Sequence, residues 1–252
     1  MRTAIVIPAR YDSSRLPGKP LLDRTGKPLI RHVWEAVVAA RLTDTVIVAT
    51  DDDRIRLAVE AFGGTAMMTD RNHVSGTDRL AEVARRIDAE TIVNVQGDEP
   101  HIDPAGLRSL LELFALYPNC RIATLAVPIK SMEDYRSPNC VKVVLDADRR
   151  AMLFSRAMVP FVRDGEPDLA QRPSPFLQHL GVYAYRRESL VEFASLPPST
   201  LELLEKLEQN RVMPLGWDVR VATVEGAGRG VDTPEDYERF VRWERLNRGS
   251  GD

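Results

Sequence analysis

The chain has 252 residues, 44% of them hydrophobic, and its 34 Lys plus Arg against 37 Asp plus Glu give a formal charge of -3. A chain of this size buries roughly 70–75% of its unfolded surface, so a core forms without disulfide staples. The near-neutral balance argues against a general nucleic-acid or membrane-surface binder, which carries a basic excess. Cys120 and Cys140 lack CxxC spacing and read as buried free thiols. No run approaches the roughly 18 apolar residues of a membrane span. The apolar run Ala4-Ile5-Val6-Ile7, ending in Pro8-Ala9-Arg10, is shorter than the core of a signal peptide, so a cytoplasmic location is expected.

Short apolar runs alternate with helical patterns. A buried strand is expected over residues 3–8, then a loop, then a helix over 29–42 with Leu29, Ile30, Val33, Trp34, Val37 and Val38 on one face. A strand over 45–50 leads to a helix over 52–62, stopped by Gly63-Gly64. A weaker strand at 65–68, a helix over 77–87 and a strand over 91–95 follow. The polar turn Gln96-Gly97-Asp98-Glu99-Pro100 comes next, and Asp103-Pro104 starts another helix as N-cap and first residue.

This succession predicts an α/β fold, a doubly wound, mostly parallel sheet with right-handed crossovers. Ligands in such sheets lie outside the carboxyl ends of the strands, which here means just after Pro8, Thr50 and Val95. Beyond residue 120, strands are expected over 122–129, 140–146 and 151–154, with a hairpin turn at 146–150. A loop over 165–175, a strand over 176–185, a helix over 201–212, a strand over 219–224 and a closing helix over 234–246 complete the chain. Residues 1–252 thus read as a single domain with an inserted, smaller β-rich lobe at about 128–200.

The loop Pro8-Ala9-Arg10-Tyr11-Asp12-Ser13-Ser14-Arg15-Leu16-Pro17-Gly18-Lys19-Pro20 places three cations among small residues directly after the first strand. Backbone amides and small side chains let a phosphate approach, while arginine supplies a donor fork and lysine a point charge. A solvated loop with a few arginines is the bland alternative. It is not a Walker loop, which needs Gly at Ser13 and Ser or Thr at Pro20. Gly226-Ala227-Gly228-Arg229-Gly230 is not a dinucleotide fingerprint either, because GxGxxG requires Gly at Val231.

Asp98 follows a strand and either faces the ligand crevice or serves as a turn residue. By spacing, Asp232 reads as simple helix entry, with Thr233 as N-cap, Pro234 first in the helix and Thr233…Asp236 a capping box. Ser75 or Thr77 is a good N-cap, and a helix start of that kind also favours an anion.

The pattern IPAR followed by SSRLPGKPL resembles the signature loop of the 3-deoxy-manno-octulosonate (Kdo) cytidylyltransferases, the CMP-Kdo synthetases. The resemblance continues through Ala49-Thr50-Asp51, Ser75-Gly76-Thr77-Asp78-Arg79, Val93-Asn94-Val95-Gln96-Gly97-Asp98-Glu99-Pro100 and Phe154-Ser155-Arg156-Ala157. It ends with His179-Leu180-Gly181-Val182-Tyr183, Leu204-Glu205-Lys206-Leu207-Glu208-Gln209 and Gly230-Val231-Asp232-Thr233-Pro234, in the family's order over nearly the whole chain.

Membership implies transfer of CMP from CTP to an acidic keto-sugar, Kdo, for lipopolysaccharide synthesis. It implies Arg10, Arg15, Lys19 and Asp98 as catalytic residues, and Asp98 with Asp232 as ligands of Mg2+, a cation that takes few protein carboxylates and completes its shell with water and phosphate. Nucleotide contacts fall on Pro8, Ala9, Arg10, Thr50, Asp51, Ser75, Gly76, Arg79 and Gln96. Sugar contacts fall on Gln96, Arg156, His179, Tyr183, Glu208 and Gln209, with Arg156 suited to the sugar carboxylate. A homodimer through the inserted lobe is also implied. Gln178 and Asn210 stand where typical members are expected to carry a basic and an apolar residue, so 8-amino-Kdo or a sialic acid remains an alternative substrate. A non-catalytic nucleotide-binding module is the alternative of another class.

Overall fold

The computed structural model describes residues 2–12, 16–73, 75–226, 228 and 230–248. The chain divides into two compact units, residues 1–105 with 228–252 and residues 106–227.

In the first unit, β1 (Thr3–Ala9) is buried from Ala4 onward because parallel strands flank it on both sides. Those neighbours are β2 (Val46–Thr50) and β4 (Thr91–Asn94), and β3 (Thr65–Met68) pairs outside β2, giving the order β3-β2-β1-β4. A strand buried on both faces reads as a continuous apolar run, as Ala4-Ile5-Val6-Ile7 does. Burying Ile5, Val6 and Ile7 contributes about 1.5–3 kcal/mol each. The crossovers contain α1 (Leu29–Ala39), α2 (Asp53–Ala61) and α3 (Gly76–Arg86).

Local chemistry explains the helix starts. Asp52 accepts from the Arg54 amide at 2.9 Å, and Ser75 forms a reciprocal capping box with Asp78. Helix α1 ends three residues earlier than expected because Arg41 adopts a left-handed φ of 51°. The closing helix α8 (Pro234–Arg248) packs Tyr237, Phe240 and Val241 into a cluster with Leu29 and Val231, against which Leu16 and Leu22 lie.

The second unit holds most of α4 (Pro104–Leu116) and a mixed set of strands. All seven residues of β5 (Ile122–Pro128) are buried between parallel β9 (Val219–Thr223) and antiparallel β8 (Leu177–Arg186). The expected hairpin is present: β6 (Lys142–Leu145) pairs with β7 (Ala151–Ser155), and the Asp146 amide bonds the Arg150 carbonyl at 2.9 Å. Strand β6 also pairs with β8. Two short helices not foreseen in the sequence, α5 (Met132–Arg136) and α6 (Arg187–Ser195), join these strands.

The expected helix over 201–212 is corrected. Only α7 (Thr200–Glu205) is α-helical; Lys206 turns left-handed at φ 53°, and a 3-10 turn follows at Glu208–Arg211. Leu203 and Leu204 are exposed, so the apolar pattern finds no core to sustain a long helix, while the reversal buries Gln209 and Asn210. The strands of the first unit pair in parallel and those of the second in both senses, so that over the described pairings the sheet is mixed and mostly parallel with flanking helices, as the alternation of elements predicts. No helix among the described residues is long and apolar enough to cross a membrane.

Candidate active site

The first unit gathers a charged cluster at the carboxyl end of β1. Gly18, at φ 67°, donates its amide to the Tyr11 carbonyl at 3.0 Å, closing the loop that delivers Lys19. The Lys19 ammonium lies 2.5 Å from Asp98 Oδ2 and 3.3 Å from Asp232 Oδ1, across separations of 79 and 213 residues. Two features set that meeting. The Val231 amide donates to the Asp98 carbonyl at 2.8 Å, and the Leu29–Tyr237–Phe240 cluster docks the helix that follows Asp232.

Different residues of the 232–236 segment start the helix and reach the charged cluster. Thr233 and Asp236 form the cap, the Thr233 amide donating to Asp236 Oδ2 at 2.9 Å and the Asp236 amide to Thr233 Oγ1 at 3.2 Å. The Asp232 side chain meanwhile reaches Lys19. Gly97 is required by close packing: a Cβ there would stand 2.8 Å from the Pro8 carbonyl oxygen.

Two carboxylates share one ammonium, and a third acid crowds them. Burial first, then the charges of Asp98 and Asp232, push Glu99 up to about 8. The two convergent carboxylates would suit a hard dication, although among the described residues no group of three His, Cys, Asp or Glu side chains could hold a metal ion. Glu99 lies in the segment that carries the resemblance but is not among the site residues expected from it; its adjacency to Asp98 is a signal that could have found it.

Nearby, Arg79 is fully buried and donates through Nη2 to Asp51 Oδ2 at 2.7 Å and through Nη1 to Thr69 Oγ1. Arg79 and Asp51 are thus partners of one another, and Thr69 is a neighbour the sequence did not indicate. Arg10 is lowered by burial first and by the Arg79 charge second, against the pull of Asp51 and Asp78. Its Nη2 is buried with no protein acceptor among the described residues, which suits an incoming anion. Thr50 is buried and its carbonyl accepts from the Thr69 amide at 2.9 Å. Ser75 caps α3 and Gly76 opens it, where an added Cβ would stand 3.7 Å from the Pro8 ring. Gln96 donates to Asn94 Oδ1 at 3.3 Å, and Ala9 ends the buried strand. Arg15 lies outside the described residues.

The second unit holds five of the six expected sugar residues, Gln96 lying in the first. In a regular strand His179 and Tyr183 would be separated by about 13 Å. Strand β8 instead shifts register, since Thr124 pairs with Tyr183 while Leu125 pairs with Leu180. Thr124 Oγ1 fills this bulge by donating to the Val182 carbonyl at 2.8 Å, and the His179 and Tyr183 rings come within 5.4 Å. Burial lowers His179 to about 3, so its imidazole is neutral beside Thr124 Oγ1 at 3.0 Å. Burial first, and the Glu208 charge second, push the Tyr183 phenol up. Glu208 lies 3.7 Å from Arg211, and Gln209 is buried in the same 3-10 turn. Arg156 follows β7, with its Nε on the Glu205 carbonyl at 2.7 Å and its Nη1 on the Pro138 carbonyl at 2.8 Å.

The family model described as Cytidylyltransferase matches residues 4–219. A solved 4-diphosphocytidyl-2C-methyl-D-erythritol synthase from Anaerococcus prevotii, 13% identical, shares the fold with a TM-score of 0.62 over 96% of this chain and 99% of that one. The class is therefore that of the nucleotidyltransferases. A protein of Syntrophobacter fumaroxidans named 3-deoxy-manno-octulosonate cytidylyltransferase is 52% identical over 244 residues, 96% of each chain. A Geobacter sulfurreducens protein of the same name is 49% identical over 96% of this chain and 98% of its own. The solved structure of a CMP:2-keto-3-deoxy-manno-octonic acid synthetase complexed with CTP is 44% identical, with a TM-score of 0.91, over 98% of this chain and 100% of that one. The chain belongs to the 3-deoxy-manno-octulosonate cytidylyltransferase family.

Proposed function

We propose that this protein transfers the CMP group of CTP to Kdo, giving CMP-Kdo and pyrophosphate. The carrying observation is the Lys19 ammonium shared by Asp98 and Asp232 at the end of the parallel strands, an arrangement suited to a triphosphate and its cation. The anomeric hydroxyl oxygen of the sugar forms a bond to the α-phosphorus as the bridge to the β-phosphate breaks. Pyrophosphate takes the bond's electrons and the hydroxyl proton passes to solvent.

In this reading Arg10, Arg15 and Lys19 offset triphosphate charge, and Pro8, Ala9, Thr50, Asp51, Ser75, Gly76 and Arg79 shape the nucleotide site. Asp98 and Asp232 would hold Mg2+, which when bound supplies positive charge to the phosphate oxygens and alignment to the displacement. Gln96, Arg156, His179, Tyr183, Glu208 and Gln209 hold the sugar. Two of the five N–H donors of Arg156 go to main-chain carbonyls, leaving three for a carboxylate. The lobe at about 128–200 carries Arg156, His179 and Tyr183 and joins two copies as a homodimer, and the protein works in the cytoplasm.

Pyrophosphate release measured with four nucleoside triphosphates against Kdo, 8-amino-Kdo and a sialic acid is expected to peak with CTP and Kdo. No release with CTP and any of the three refutes catalysis. Asp98→Asn should lower turnover by about a hundredfold or more with an unchanged melting curve. Near-normal turnover of that variant removes the metal role.

A further inference from the structure

Lys142 is the most completely buried lysine of the chain's second unit, with no solvent exposure. A charged ammonium in such a place needs all its protons satisfied. The three acceptors are main-chain carbonyls: Ser137 at 2.8 Å, Cys140 at 2.7 Å and Arg156 at 2.9 Å. Two of these flank Pro138, whose own carbonyl receives Nη1 of Arg156, and the third belongs to Arg156 itself. One ammonium therefore gathers both the segment that grips the guanidinium and the backbone that carries it.

Strand register explains how Lys142 gets there. It pairs with Ser155 on one side and with Gln178 on the other, between the residues that precede Arg156 and His179. Glu205 completes the arrangement from the end of α7. Its Oε1 accepts from Ser155 Oγ and its Oε2 from the Arg156 amide, both at 2.7 Å, while its carbonyl takes Arg156 Nε. These bonds tie Arg156 to Glu205, to Pro138 and to Lys142.

We infer that Lys142 and Glu205 are positioning residues that hold the Arg156 guanidinium toward an anionic group of the sugar, so that they govern sugar affinity and not nucleotide affinity. The inference rests on the sugar-site reading of Arg156 given above. Neither residue touches substrate; each acts by fixing where the arginine's remaining donors point. A guanidinium misplaced by about 1 Å loses much of a bidentate carboxylate interaction.

The test compares Arg156→Gln, Lys142→Met, Glu205→Leu and the double variant Lys142→Met/Arg156→Gln, with KM for Kdo and for CTP measured separately. Glu205→Leu keeps much of the bulk but can accept neither from Ser155 Oγ nor from the Arg156 amide, and it decides the matter where Lys142→Met does not fold. The expected result is a rise of about tenfold or more in the Kdo KM for each single variant, with the CTP KM within about twofold. The double variant should show no further rise over Arg156→Gln, because the lysine acts through the arginine. A merely structural role would move both KM values together or add to the arginine effect, and either outcome overturns the inference. So does an unchanged Kdo KM in Glu205→Leu and in Lys142→Met. An unchanged Kdo KM in Arg156→Gln instead overturns the sugar-site reading and the inference with it.

Discussion

Removing Asp51 should destabilise the protein more than removing the arginine it binds. Arg79 has no exposed side-chain surface, whereas Asp51 keeps 17% of its own. In Asp51→Ala the guanidinium stays buried, retaining Thr69 Oγ1 but losing its only anionic hydrogen-bond partner among the described residues. Breaking a buried pair in this way costs about 3–5 kcal/mol, because a charge is left without compensation in a region of low polarity. For a chain of this size each kcal/mol lowers the melting temperature by about 2–4 °C, so a drop of roughly 6–20 °C is expected. In Arg79→Met the remaining carboxylate can reach water and the methionine fills part of the space, so the loss is smaller, about 1–2 kcal/mol. The double variant should then be more stable than Asp51→Ala alone. Urea and thermal unfolding at neutral pH measure all three. An Asp51→Ala penalty below about 1 kcal/mol, or one no larger than that of Arg79→Met, refutes the account of Arg79 as a charge held in place by Asp51.

Acid should weaken the fold through His179. Its pKa falls from the ordinary imidazole value to about 3 on folding, so the unfolded chain binds the proton first and stability is lost as pH drops through the window from about 6.5 to 3. At pH 5 the loss from this group is about 2 kcal/mol, and His179→Phe should show a correspondingly shallower decline in urea unfolding between pH 7 and 5. Equal slopes count against a neutral buried imidazole. The thiols should be inert in the native protein, since burial pushes Cys120 up to about 12 and also raises Cys140. Native labelling by a thiol-disulfide reagent at pH 8 contradicts this, whereas labelling of both after unfolding is expected. Gly97→Ala should cost about 1–3 kcal/mol and reduce pyrophosphate release, because its Cβ meets the Pro8 carbonyl and pushes the Asp98 loop away from Lys19. Unchanged melting and turnover would show that the loop shifts freely.

What depends on near neighbours in the chain was legible in the amino-acid sequence. The apolar run of β1, the Ser75 cap, the hairpin at Asp146–Arg150 and the Thr233–Asp236 box all follow from residues within a few positions of one another. The cation-bearing loop was legible for the same reason, as was its place after a strand. Where the pattern failed, burial had overruled it. The periodicity over 201–212 promised one helix, but no core faced it and the chain reversed at Lys206.

The tertiary structure alone decided which distant groups meet. Lys19 finds Asp98 and Asp232 because parallel strands align their carboxyl ends and an apolar cluster returns the last helix to them. His179 and Tyr183 approach because a bulge shortens the strand between them, and Arg79 and Asp51 pair because burial leaves a guanidinium no water. Propensity and spacing act over a few residues, whereas these contacts are fixed by packing across the whole fold. Residue types can therefore be recognised in the sequence, but their charges, partners and distances are set only when the core closes around them.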